Sequence, residues 1–328
     1  MVRCHIIYPV LAAFFLSLLA GCAGRGKENA VTHPFPSVQL PSIYADDREG
    51  ALEYIAEHYW DNFTDTSETY LCDTAVVNGV KKDDVEQAFA DFTGVLQSVV
   101  FQQAEKAMEI LFERISAFEY ADTSSNVLET VMSFAEKYLY DPNSPVRNED
   151  LYGVLAGRLS EYPGIPAEKR DVYAYDARMC ALNSVGTRAS DFVFSDAKGR
   201  SYSLYDIDAE YILLFFSNPG CHACEEIIKT LADGLAVSSL IESGRLAVVN
   251  VYIDEDLSAW YEYMPVYPDD WYNGYDPNGI IRADTLYNVR AIPSLYILDS
   301  DKTVIMKDAP DRRVFAFLSD LAQDGQDF

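Results

Sequence analysis

The chain is 328 residues long, enough for two domains of ordinary size. Hydrophobic residues make up 49% of it, with 23 Tyr and 17 Phe among the chain's aromatics, so a sizeable core can be buried. The formal charge of -27 repels phosphate backbones, and with no basic stripe to offset it, nucleic acid is excluded as a partner.

Arg3 precedes a short apolar run, Ile6 to Leu19, that ends in Leu19-Ala20-Gly21-Cys22. The run is shorter than the roughly 20 apolar residues that span a bilayer, and reads as a signal peptide over residues 1–21. The small residues ahead of Cys22 resemble the bacterial lipobox. That resemblance implies an acylated Cys22 thiol, cleavage in front of it, and a lipid that holds the rest of the chain at a membrane. The expected place is the bacterial cell envelope, facing the periplasm from the outer membrane. An ordinary signal peptide with a chance Cys is the plain alternative. Residues 22–41 are Gly-rich and polar, then punctuated by Pro34, Pro36 and Pro41, as a tether would be. Of the six cysteines, Cys4 leaves with the signal and Cys22 carries lipid. Cys72, Cys180, Cys221 and Cys224 remain, in a compartment where disulfides persist.

Residues 42–182 read as an all-helical domain of four to six helices. Val85, Phe89, Phe92, Leu96, Val99, Ala104, Met108, Leu111 and Ile115 recur at helical spacing and mark one apolar face. Val127, Val131, Phe134 and Tyr138 repeat the pattern until Asp141-Pro142-Asn143-Ser144-Pro145 breaks it. Further helices fit Asp150 to Leu159 and Ala167 to Leu182. The domain holds no metal-ligand cluster, Gly-rich phosphate loop or nucleophile elbow. Cys72 and Cys180 lie here; spacing alone leaves a disulfide between them open.

Residues 183–328 change texture. Phe192-Val193-Phe194 and Tyr202-Ser203-Leu204 flank a turn at Asp196 to Gly199. Tyr211 to Phe216 is a continuous apolar run, as in a strand buried on both faces. Asn218-Pro219-Gly220 then turns the chain into a helix that begins near Cys221. Ala247 to Ile253, Ser294 to Leu298 and Thr303 to Met306 read as further strands, and Asp311 to Leu321 as a last helix. This is an α/β pattern, a central mixed sheet with a parallel core and an antiparallel edge, flanked by helices.

Cys221-His222-Ala223-Cys224 follows a buried strand and opens a helix. There the partial positive charge and free N–H groups of the helix start favour a thiolate. Cys221 would attack, Cys224 would resolve one turn later, and protonated His222 would add positive charge. A zinc site is short of ligands, since no second CxxC exists and only His33, His58 and His222 remain after processing. No metal and no cofactor are expected. A purely structural disulfide is the bland alternative.

Ala291-Ile292-Pro293-Ser294 precedes an apolar strand. Together with the CxxC it resembles the thioredoxin superfamily, over about Val185 to Leu321. The nearest branch is that of the membrane-tethered TlpA/ResA-like proteins and relatives with an alkyl-hydroperoxide-reductase/thiol-specific-antioxidant core, whose lead-in resembles Val185-Gly186-Thr187-Arg188-Ala189-Ser190-Asp191-Phe192. The resemblance implies a thioredoxin-like fold after the helical domain, with Cys221 the nucleophile, Cys224 the resolving thiol and Pro293 a cis-proline exposing the Ile292 backbone to substrate. The helical region, from Tyr59-Trp60-Asp61-Asn62-Phe63 to Pro145, resembles an uncharacterised module found ahead of such domains. Gly220 stands where thioredoxins place Trp, and Phe215 where they bury an acid; Glu225 and Glu226 are nearby carboxylates. Asn218 stands where thiol peroxidases have Thr, which disfavours peroxidase chemistry.

The long segment Asp254 to Asp284 holds Trp260, Tyr261, Trp271, Tyr272 and Tyr275. It reads either as an aromatic wall for substrate, with Trp260 and Trp271 as contacts, or as a satellite core. The function expected is thiol–disulfide exchange with envelope proteins, in the reductase direction by resemblance, fed by an upstream redox partner. A redox-inactive scaffold lipoprotein is the alternative.

Overall fold

In the computed structural model, which describes residues 32–67, 70 and 72–324, helices occupy the first part and a seven-stranded sheet the second. The expected signal peptide, Cys22 and the start of the tether lie outside the described residues.

Six α-helices build the first part: α1 (Arg48–His58), α2 (Lys82–Leu96), α3 (Phe101–Ala121), α4 (Val127–Ala135), α5 (Glu149–Glu161) and α6 (Ala167–Cys180). The Asp47 carboxylate caps α1 by accepting from the Gly50 amide at 2.9 Å, and Asn148 caps α5 through the Leu151 amide at 3.2 Å. The periodic face from Val85 to Ile115 belongs to two helices, broken at residues 97–100. Its side chains meet Trp60, Phe63 and Phe134 in one core. The sequence reading missed a small hairpin here, β1 (Val76–Val77) with β2 (Val80–Lys81). Its turn, Asn78-Gly79, takes left-handed backbone at both positions, φ 44° and 74°, which is the two-residue hairpin chemistry of Asn-Gly.

The sheet contains β3 (Val193–Asp196), β4 (Ser201–Ser203), β5 (Tyr211–Phe216), β6 (Leu246–Tyr252), β7 (Tyr272–Tyr275), β8 (Ser294–Asp299) and β9 (Val304–Met306). Their order is β4-β3-β7-β6-β5-β8-β9. β5, β6 and β7 run parallel, and antiparallel strands close both sides. Leu213 lies between Val248 of β6 and Ile297 of β8, so β5 is the axis of the sheet. Its apolar run is continuous because both faces are covered. Leu213 and Phe215 pack under α7 (His222–Ala232), α8 (Leu235–Glu242) and α11 (Asp311–Asp324). Ile212, Leu214 and Phe216 pack against Phe192, Tyr287 and Tyr296 on the other face. Fully burying each such side chain contributes about 1.5–3 kcal/mol.

The segment Asp254 to Asp284 is no open loop: it carries α9 (Leu257–Tyr263), β7 and α10 (Ile280–Ala283). β7 escapes sequence pattern because Tyr-Asn-Gly-Tyr has little strand character. Gly274 is required there, since a Cβ would lie 2.5 Å from the Phe194 ring and 3.0 Å from the Ser195 carbonyl oxygen. Trp260 and Trp271 are corrected by their burial, 0% and 7% exposed within the core under α7. They are packing residues, and a substrate cannot reach the Trp260 ring.

The helical and sheet parts meet through buried charge. Lys307 Nζ lies 3.1 Å from Glu149 Oε1 and 2.8 Å from Asp150 Oδ1, and also donates to the Cys180 carbonyl. Arg290 pairs with Glu149, donates to the Tyr140 carbonyl and lies 4.2 Å over the Tyr140 ring. Asp308 faces Arg147 at 3.3 Å and Arg290 at 3.6 Å. Three cations thus face three carboxylates, as a buried cluster requires.

Candidate functional site

β5 delivers the chain to the site at Phe216, and Ser217 to Gly220 turn it into α7. Gly220 takes a left-handed φ of 72°, which glycine adopts without steric cost. Cys221 is the N-cap of α7, and its sulfur accepts from the Cys224 amide at 3.3 Å. A capping sulfur sits where the helix presents its unsatisfied N–H groups, so the fold places Cys221 where negative charge is stabilised.

Cys221 is half-buried, while Cys224 is fully buried. Burial, and after it the neighbouring Cys221, push the Cys224 thiol well above its usual range; the Asn218 backbone opposes this weakly. Across from the pair, the Ile292–Pro293 peptide bond is cis. The Ile292 carbonyl oxygen lies 3.9 Å from Cys221 Sγ. The structure therefore brings together Cys221, Cys224, Ile292 and Pro293, which are 71 residues apart at the Cys221–Ile292 contact.

His222 is different. Its side chain is 84% exposed and lies 3.4 Å from Glu226 Oε1 one turn along α7. Glu225 accepts from the Tyr263 hydroxyl at 2.9 Å, and Glu226 is 70% exposed, so both are surface carboxylates of the first turns of α7. Phe215 is buried in the same apolar core as Cys224. Cys72 and Cys180 are free thiols and do not pair. Burial pushes the Cys180 thiol up to about 12, as in an inert packing cysteine.

Sequence reasoning missed a polar chain below the site. Ser217 Oγ donates to Asn250 Oδ1 at 2.5 Å, Asn250 Nδ2 donates to Asn273 Oδ1 at 3.0 Å, and Asn273 Nδ2 donates to the Pro268 carbonyl at 2.7 Å. All three side chains are buried. Asn250 is the one polar residue within Val248-Val249-Asn250-Val251, and such an interruption of an apolar strand signals a buried hydrogen-bond network. Beside it, Asn218 donates to Asp254, which pairs with Arg282 at 2.7 Å and ties the loop ahead of Cys221 to the end of β6. Among the described residues, no group of three His, Cys, Asp or Glu side chains could hold a metal ion. Among them too, no helix is long and apolar enough to cross a membrane.

Two family models match the chain. One, described as a domain of unknown function (DUF5106), covers residues 23–177, and the other, described as thioredoxin-like, covers residues 208–304. The crystal structure of a thioredoxin-like protein from Bacteroides caccae is 33% identical, with a TM-score of 0.73, covering 87% of this chain and 98% of that one. The C-terminal domain of an uncharacterised protein from Bacteroides fragilis is 40% identical over 42% of this chain and 99% of its own, with a TM-score of 0.41. The thioredoxin domain of a thiol-disulfide oxidoreductase from Bacteroides vulgatus is 20% identical over 41% of this chain and 98% of its own, with a TM-score of 0.36. No curated protein matches the chain.

Proposed function

The chain belongs to the thioredoxin-like proteins, and on that premise we propose that it is a thiol–disulfide oxidoreductase acting through Cys221 and Cys224 on proteins of the bacterial envelope. One observation carries the reading: the Cys221 sulfur caps α7 and stands 3.9 Å from the Ile292 carbonyl, on the half-buried side of the pair.

In the reductase direction the Cys221 thiolate attacks one sulfur of a partner disulfide. A mixed disulfide forms and the other partner sulfur leaves as thiolate. Cys224 then gives up its proton, which goes to solvent or to that thiolate, and attacks Cys221 Sγ. The Cys221–Cys224 disulfide forms and the second partner thiol is released. Two electrons have passed to the partner, and an upstream dithiol must return them. Burial favours the neutral Cys224 thiol, so the first attack on the partner falls to Cys221.

The deciding measurement is the reduction potential of the pair, by equilibration against glutathione buffers. A reversible couple near about -270 mV supports a reductase, and one near about -120 mV an oxidant that inserts disulfides. Absence of a reversible couple would leave a binding scaffold. The proposed place is the periplasmic face of the outer membrane, through lipid on Cys22. Cys22→Ser is expected to move the protein from the membrane to the soluble fraction, and retention on the membrane would overturn the anchor.

A further inference from the structure

We infer that the loop Pro142 to Arg147, which leads into α5 of the helical part, is the second wall of a substrate cleft beside the redox pair, and that the cleft takes an extended, cysteine-bearing polypeptide of neutral to basic character. The inference rests on the oxidoreductase reading and names the partner for that site.

A cleft of about 510 Å³ opens beside Ile292 and Pro293. Its floor is Ile227 of α7 and Leu295 of β8, both buried. One wall is the α7 face carrying Ala223, Glu226 and Thr230, which share one side of the helix. The other wall comes from the helical part, through Pro142, Asn143 and Arg147. This wall is held in place: Arg147 donates to Asp308 at 3.3 Å and to the Ala309 carbonyl at 3.1 Å. The helical part therefore completes the cleft that the sheet part begins.

Three features select the occupant. The volume suits a ligand of several residues or one small molecule, within the usual range of about 300–1,000 Å³. Among the described residues, the amides of Ala291 and Ile292 enter no hydrogen bond of the fold, so they can pair with an extended main chain. Charge sets the character of the segment. In the lining Glu226 and Asp311 are balanced by Lys229 and Arg147, so the field is set by the chain as a whole, whose charge of -27 attracts cationic partners and repels acidic ones.

The test uses the full-length protein and one peptide disulfide in two versions, flanked by Lys or by Glu. Asn143 and Thr230 are exposed on opposite walls, so Asn143→Trp and Thr230→Trp narrow the cleft from either side. Each is expected to raise KM for the Lys-flanked peptide about tenfold with kcat nearly constant, the signature of lost ground-state binding. Two independent positions guard against misfolding of one variant, and Tyr120→Ala, exposed at the end of α3, is the control at wild-type KM. In the wild type the Lys-flanked peptide should bind more tightly at low salt. Unchanged KM in both Trp variants, or no preference between the peptides, would overturn the inference. So would an equal KM penalty with oxidised glutathione, which would make the occupant a small thiol. A wild-type protein that exchanges disulfides with neither the peptides nor glutathione, in either direction, would overturn the oxidoreductase reading instead.

Discussion

Glu149, in the first turn of α5, and Arg290, just ahead of the cis-proline, form an ion pair at 3.2 Å between side chains that are 1% and 13% exposed. On the other side of that proline, Ser294 donates to Asp308 at 2.8 Å, and Asp308 is held by Arg147 of the helical part. The residues on both sides of the Ile292–Pro293 bond are thus tied to the helical part. The carbonyl that faces Cys221 is positioned by a domain that contributes no thiol to the pair.

Lys307→Met should destabilise the protein by about 3–5 kcal/mol at neutral pH, because it removes the cation that Glu149 and Asp150 share in a buried cluster. Burial raises the Glu149 carboxyl above the usual carboxylate range, with Lys307 and Arg290 opposing it. A raised carboxyl contributes stability that is full below its unfolded value, about 4.3, and lost as pH climbs through the folded one. The penalty of Lys307→Met should therefore shrink as pH falls from about 7 toward about 5, where the orphaned carboxyl can take a proton. Urea denaturation of both proteins across that range checks it; a constant difference would contradict the argument.

Cys224→Ser should trap the first half-reaction. Cys221 can still form the mixed disulfide, but nothing resolves it. A covalent adduct with partner proteins should accumulate on non-reducing gels and vanish on reduction. Cys221→Ser should give neither adduct nor turnover. Adducts that persist in Cys221→Ser would assign the attacking sulfur to another cysteine.

The resolving step should accelerate with pH. Burial, the largest cause holding the Cys224 thiol above the usual range, persists when Cys221 is in a mixed disulfide, so only a small fraction is thiolate near neutrality. Between about pH 7 and about pH 9 the closing of a preformed Cys221 mixed disulfide should speed up without reaching a plateau. By linkage, the neutral thiol contributes stability in full below about 8.5, and this is lost as pH rises through the folded value. Stopped-flow measurement of closure gives the profile, and a flat one would mean the thiolate is already formed.

Gly274→Ala should cost about 1–3 kcal/mol, the range for forcing a methyl into packed space. The new Cβ would meet the Phe194 ring at 2.5 Å and the Ser195 oxygen at 3.0 Å, and the second of these is backbone that cannot swing aside. A thermal midpoint equal to wild type would show that β3 and β7 separate without loss.

Local signals carry the parts of this protein that sequence alone determined. The apolar run of β5, the Pro-Gly turn and the helix behind Cys221 are consecutive in the chain, so their period and punctuation are visible without the fold. The helical first part is legible for the same reason, since each helix writes its own repeat. Ile292–Pro293 could be placed ahead of a strand, and resemblance set it opposite the pair. Tertiary structure alone decided the rest. Whether Trp260 and Trp271 face a partner or a core depends on what packs over them, and burial settled it. β7 becomes a strand because β6 and β3 supply its hydrogen bonds, against weak local preference. The joint of Glu149 with Arg290 and Lys307 spans 141 and more residues of chain, and isolated charges carry no period that could announce it. Their meaning lies in desolvation, which exists only once the two parts have closed over them.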